Sequence, residues 1–146
     1  MSVDSKATST WEGDLANGSG TTSFDSSGTI PEVQVSWAAR AEGHDGSKTS
    51  PEELVAGAHA SCYNMALSNA LGKAGTPPER VTTSATVTFS TDGGAHVSSI
   101  ALRVRASVPG ISADDFREKA EAAKEGCPIS KLVAGNVEIS LDADLE

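Results

Sequence analysis

Two thiols, Cys62 and Cys127, are the groups in this 146-residue sequence best suited to redox or nucleophilic chemistry. Cys62 lies in SPEELVAGAHASCYNMALSNALGKAG, a stretch with no Asp, Glu, Lys or Arg between Glu53 and Lys73. At helical spacing Val55, Ala58, His59, Met65, Ala66 and Asn69 share its face. A cysteine in such a patch behaves either as a small buried hydrophobe or as a reactive thiol. Apolar burial alone raises a thiol pKa, so reactivity at Cys62 requires a cation brought from elsewhere. Arg40, the only arginine before Cys62, is one source; the other reading of Arg40 is a solvated strand-end side chain. Glu52 and Glu53 are first-turn carboxylates that complement the helix dipole. Glu52 precedes Cys62 by ten residues, about 15 Å along a continuous helix at ~1.5 Å per residue. The two cannot meet within one chain, and a site that uses both needs a second chain.

Cys127 sits between Gly126 and Pro128. A Cys-Pro step suits a helix start, with Cys at the N-cap and Pro at the first helical position, where the helix N-terminus can stabilise a thiolate. The alternative is a small residue in a tight turn. His59, three residues before Cys62, either tunes the thiol or is a core histidine bonded to backbone.

The elements that must carry these groups follow from patterning. Ser50, Pro51 and Glu53 form a capping signal for a long helix through Lys73. Its apolar residues spread around the circumference, which marks a buried helix of a core. The polar residues His59, Ser61, Asn64, Ser68 and Asn69 argue against a bilayer. Residues 7–14 and 20–25 read as strands around the turn Asn17-Gly18-Ser19-Gly20. Val33, Val35, Trp37 and Ala39 alternate with polar positions, predicting a half-buried strand that ends near Arg40. Residues 42–49 form a polar loop. Val81 to Ser90 and Ile100 to Val108 alternate on either side of Asp92-Gly93-Gly94, an antiparallel hairpin. Ser112 opens a second helix that Gly126 ends. Residues 129–134 add a helical turn or two, and Val137, Ile139 and Leu141 form a last strand. The order predicts one α+β domain over residues 1–146 with antiparallel sheet.

Composition narrows the function. A net charge of −9 disfavours nucleic acid, whose phosphates need a basic surface. The N-terminus MSVDSKATSTWEG lacks a basic-then-apolar signal and nothing resembles a membrane span, so a cytoplasmic protein is expected. Two cysteines are too few for a disulfide scaffold or an all-cysteine zinc site, and His44, His59 and His96 lack ligand spacing.

SPEELVAGAHASCYNMAL, the upstream arginine and GCPISKLV together resemble the OsmC/Ohr family of osmotically inducible and organic-hydroperoxide-resistance proteins. The likeness runs the length of the chain, including WEGD near the start and VPGIS before the second helix. Ala58-His59-Ala60 resembles the OsmC branch more than the Ohr branch. This resemblance implies an OsmC-like fold, with antiparallel sheets around a long central helix and an intertwined homodimer whose sites lie at the subunit interface. It implies a thiol-dependent peroxidase for organic hydroperoxides and, more weakly, hydrogen peroxide. Cys62 then matches the peroxidatic cysteine and Cys127 the resolving one, closing a disulfide during turnover. Arg40 and Glu52 match the pair that organises the thiolate. Leu54, Val55, Met65 and Ile129 are candidates for the apolar wall that receives the alkyl group. No metal, haem or flavin is implied; an external dithiol completes the cycle.

Two other functions fit the layout. A dimeric stress or small-molecule binding protein would have incidental thiols with ordinary pKa values. A hot-dog-type acyl thioesterase would keep its activity after both cysteines were removed.

Overall fold

The computed structural model describes residues 1–44 and 46–146. It divides into two compact units, Met1–Leu54 and Val55–Glu146. The helix predicted around Cys62, α2 (Pro51–Lys73), is continuous across the division.

The first unit holds a three-stranded antiparallel sheet of β1 (Thr8–Glu12), β2 (Ser19–Ser23) and β3 (Val33–Val35). The turn between β1 and β2 lies earlier than predicted. Asp14 accepts hydrogen bonds from the backbone N–H groups of Ala16 and Asn17, so Ser19 and Gly20 already belong to β2. Gly20 faces Trp11 across the ladder, and a Cβ there would lie 2.7 Å from the Thr10 carbonyl. The strand expected from Val33 to Arg40 stops at Val35. Ser36 accepts the Ala39 N–H at 3.1 Å and caps a short helix, α1 (Trp37–Ala41). A serine side chain that satisfies a helix N–H outcompetes three further alternating residues. Arg40 thus stands on a helical turn. Of the loop expected over 42–49, Asp45 lies outside the described residues.

The second unit is built on a sheet of β4 (Arg80–Ser90), β5 (His96–Ser107) and β6 (Glu138–Leu145), in the order β4-β5-β6. β4 and β5 form the predicted antiparallel hairpin, with a register shift at Thr88/Phe89. β6 departs from the expected antiparallel sheet: it runs parallel to β5, pairing Ile100 with Ile139 and Leu102 with Leu141. The chain between them passes through α3 (Ala113–Gly126) and α4 (Pro128–Val133), a crossover long enough to return it to the same end of the sheet. Ile100, Leu102, Val104 and Ala106 project from β5 into the core. There they meet Tyr63, Leu67 and Leu71 of α2 and Phe116, Ala120 and Ala123 of α3.

The 59-63-67-71 stripe of α2 is fully buried. The prediction of a helix enclosed on most sides is met only along that stripe. Val55 is 38% exposed and Met65 73% exposed, so much of the apolar circumference is uncovered within one chain. Ser50 caps α2 by accepting the Glu53 N–H at 3.2 Å, while the Glu53 carboxylate accepts the Thr49 hydroxyl.

Candidate active site

The fold brings Cys62 and Cys127, 65 residues apart in sequence, to an Sγ–Sγ distance of 3.3 Å, with both thiols free. Cys62 projects half-buried from the middle of α2, beside Tyr63 of the core stripe. Cys127 is fully buried at the joint between α3 and α4. Its N–H donates to the Ala123 carbonyl and closes α3, while its carbonyl accepts the Lys131 N–H and opens α4. Pro128 occupies the first turn of α4, where its missing N–H costs nothing. The expected N-cap placement of Cys127 is therefore observed in the backbone. Its sulfur makes no formal capping hydrogen bond but feels the nearby N–H groups of Ser130 and Ile129.

The two sulfurs experience opposite environments. Burial pushes the Cys62 thiol up; the Ile129 N–H opposes this weakly, and the adjacent Cys127 sulfur adds to the rise. Burial would also raise Cys127, but the Ser130 N–H, the Cys62 thiol, the Ser130 hydroxyl and the Ile129 N–H together bring it below its ordinary value. Within this chain the favoured thiolate is Cys127. Ser130 was not among the residues expected from sequence to act here. The signal for it was present: a serine three residues after an N-cap cysteine stands at capping distance.

His59 is fully buried, and its Nε2 lies 2.8 Å from Ser130 Oγ. Burial lowers its pKa and keeps the ring neutral. Of the two readings of His59, the structure shows a buried core histidine, but its partner is the Ser130 side chain and not the expected backbone. The Tyr63 hydroxyl donates to the Ala120 carbonyl at 2.9 Å and ties α2 to α3 beneath the sulfurs.

Arg40 and Glu52 form a separate constellation in the Met1–Leu54 unit. Arg40 Nη2 and Nε reach Glu52 Oε1 at 2.8 and 3.0 Å. Both contacts converge on one oxygen instead of forming a two-oxygen fork. Glu52 Oε2 is buried and has no hydrogen-bond partner among the described residues. The Arg40 side chain remains 33% exposed. Of the apolar candidates, Leu54 is half-buried, Val55 and Met65 are exposed on α2, and Ile129 packs beside Cys127 against the core. Among the described residues no cluster of three or more His, Cys, Asp or Glu could hold a metal ion. Nor is any described helix long and apolar enough to cross a membrane.

The family described as OsmC-like protein matches the chain over residues 43–142. Peroxiredoxin OsmC of Escherichia coli (strain K12) is 40% identical over 147 residues, covering 100% of this chain and 99% of that protein. Organic hydroperoxide resistance protein-like 2 of Staphylococcus epidermidis is 30% identical over 103 residues, 68% of this chain and 70% of its own length. Among solved structures, the organic hydroperoxide resistance protein OhrB of Bacillus subtilis aligns with a TM-score of 0.72 at 26% identity, covering 95% of this chain and 98% of that one.

Proposed function

This chain belongs to the OsmC family, and on that premise we propose that it is a cysteine-based peroxidase that reduces organic hydroperoxides and, more weakly, hydrogen peroxide. The observation that carries the proposal is the pair of free thiols at 3.3 Å, one half-open on a long helix and one sealed at a helix joint. The Cys62 thiolate attacks the distal peroxide oxygen. The O–O bond breaks, the alkoxide leaves as an alcohol, and Cys62 becomes a sulfenic acid. Cys127 condenses with it to a disulfide with loss of water, and an external dithiol restores both thiols by exchange. The scheme asks for no metal, haem or flavin.

The chain's own environment raises the Cys62 pKa, so the peroxidatic thiolate requires a cation. Arg40 is that cation, held by Glu52 through two charge-assisted contacts on one oxygen. The ten-residue offset between Glu52 and Cys62 along α2 means that a second copy supplies the pair. The enzyme therefore works as a homodimer, each copy contributing one OsmC-like domain of residues 1–146. The uncovered face of α2 at Val55 and Met65 supports the same assembly. Leu54, Val55, Met65 and Ile129 receive the alkyl group of the substrate. The reductant is an external dithiol and the compartment the reducing cytoplasm, where a cysteine pair suits redox chemistry better than a structural scaffold.

Stopped-flow consumption of an alkyl hydroperoxide by the pre-reduced protein, followed by mass spectrometry, tests this. The expected product is one Cys62–Cys127 disulfide per equivalent of peroxide. Consumption no faster than that of a free thiol in solution would overturn the proposal, as would undiminished activity after removal of both cysteines.

A further inference from the structure

A buried file of polar groups leads from α2 to the sulfur of Cys127. His59, Ser130 and Cys127 are 0%, 5% and 0% exposed, so solvent hardly competes for their hydrogen bonds. His59 Nε2 lies 2.8 Å from Ser130 Oγ, and Ser130 stands three residues past Cys127 in α4, where its hydroxyl helps lower the pKa of the Cys127 sulfur. Cys127 Sγ stands 3.3 Å from Cys62. The other ring nitrogen, His59 Nδ1, is buried with no partner among the described residues.

That orphan selects the tautomer. With the proton on Nε2, the ring donates to Ser130, the Ser130 proton is free for the sulfur, and Nδ1 is left as a bare acceptor. With the proton on Nδ1, a buried N–H has no acceptor, and Ser130 must spend its only proton on the ring, leaving the sulfur without that donor. A buried donor without a partner is rarer than an unmet acceptor, and the second arrangement combines two defects. The ring N–H therefore points to Ser130, which keeps its own proton for Cys127.

We infer that His59 and Ser130 are positioning residues for the resolving step: the histidine orients the serine hydroxyl so that it holds Cys127 as a thiolate facing Cys62. The inference rests on the peroxidase reading above. In the step itself a lone pair of the Cys127 thiolate attacks the Cys62 sulfur of the sulfenic acid, and an S–S bond forms as the S–O bond breaks. Hydroxide leaves and takes a proton from solvent to become water. Cys127 sulfur is oxidised and Cys62 sulfur is reduced.

The neutral state of the buried imidazole agrees with this role, because an imidazolium would place a full charge in the core. Other titratable groups bearing on this corner are few among the described residues. From α2 come Cys62 and Tyr63, whose hydroxyl is turned to the Ala120 carbonyl. From α3, Glu121 acts on Tyr63 and is itself paired with Lys124. On α4, Lys131 is exposed, and the fully buried side chains of β5, Ile100, Leu102, Val104 and Ala106, are all apolar.

The first test needs no peroxide. In the full-length chain carrying Cys62→Ser, ultraviolet absorbance of the thiolate is followed against pH with and without Ser130→Ala. The expected result is a midpoint about one pH unit higher with Ser130→Ala, one unit being about tenfold in thiolate population. Ser130→Thr, which keeps the hydroxyl, should retain the original midpoint. An unchanged midpoint in Ser130→Ala overturns the inference whether or not the protein consumes peroxide. The second test separates the two steps of a single turnover. Ser130→Ala and His59→Leu should still form the Cys62 sulfenic acid, no more slowly than the unmodified protein, since a less charged Cys127 relieves the rise it imposes on Cys62. They should close the disulfide roughly three- to tenfold more slowly at neutral pH, since added nucleophilicity offsets part of the lost thiolate. Raising the pH should recover the rate, and His59→Gln, which can present an N–H near the same place, should lose less. Failure of sulfenic acid formation in the unmodified protein would reject the peroxidase reading alone. Disulfide closure with an unaltered pH profile in His59→Leu would reduce His59 to a packing role and overturn its part.

Discussion

In the proposed scheme each sulfur has a separable task, and single substitutions should show it. Cys62→Ser is expected to abolish peroxide consumption. Cys127→Ser should still react once per chain but stall without recycling, leaving an overoxidisable sulfenic acid detectable by mass spectrometry. Equal full activity in both variants would contradict the scheme. His59 gives a pH signature of a different kind. Burial holds its native pKa below the ordinary value of 6.5, so as the pH falls below 6.5 the unfolded chain binds a proton that the native ring refuses. The stability tied to neutral His59 is therefore complete above 6.5 and declines as the pH drops toward the lowered native value. Denaturant midpoints measured down this range should fall more steeply for the unmodified protein than for His59→Gln. At this scale Cys62, Cys127, Arg40 and Glu52 stand out as candidates by residue type and motif. The 3.3 Å meeting of the sulfurs was not legible, because no local spacing relates residues 65 apart. The contact between His59 and Ser130 was hidden for the same reason.

Among the elements, those whose pattern agrees with their caps were read correctly. The β4–β5 hairpin follows from strict alternation around Asp92-Gly93-Gly94, and α3 from Ser112 and its first-turn acids. Two misreadings share a cause: a local period was extended past a point where another interaction takes over. The alternation after Val33 runs on through Ala39, yet Ser36 captures the Ala39 N–H and turns the chain into α1. The alternation of β6 says which face is buried but carries no information on strand direction, which the α3–α4 crossover decides. Because Ser36 starts the turn that carries Arg40, Ser36→Ala should cost about 1 kcal/mol of stability. A denaturant titration should show that loss, and Ser36→Asp should largely restore it. Activity should fall further than stability alone explains, since a less ordered α1 holds the guanidinium less firmly on Glu52.

On the scale of the whole molecule, α2 is more apolar than one chain can use. Tyr63, Leu67 and Leu71 fill the core, while Val55 and Met65 remain on the surface. The proposed homodimer covers that face, and Met65→Glu should therefore shift the protein toward monomer by sedimentation or light scattering. Peroxidase activity should fall in parallel, because a lone chain would lack the second copy's Arg40 and Glu52. A monomeric Met65→Glu with full activity would show that each chain is complete by itself. In the proposed cycle the unequal exposure of the two sulfurs would also set the direction of recovery after oxidation. An incoming reductant meets Cys62, the sulfur that remains partly open, and not Cys127, which is closed off at its helix joint. The mixed disulfide of that cycle would therefore grow on Cys62 and expel Cys127, the sulfur of lower pKa and the better leaving group. The same asymmetry that readies Cys127 to close the bond makes it the first to be released.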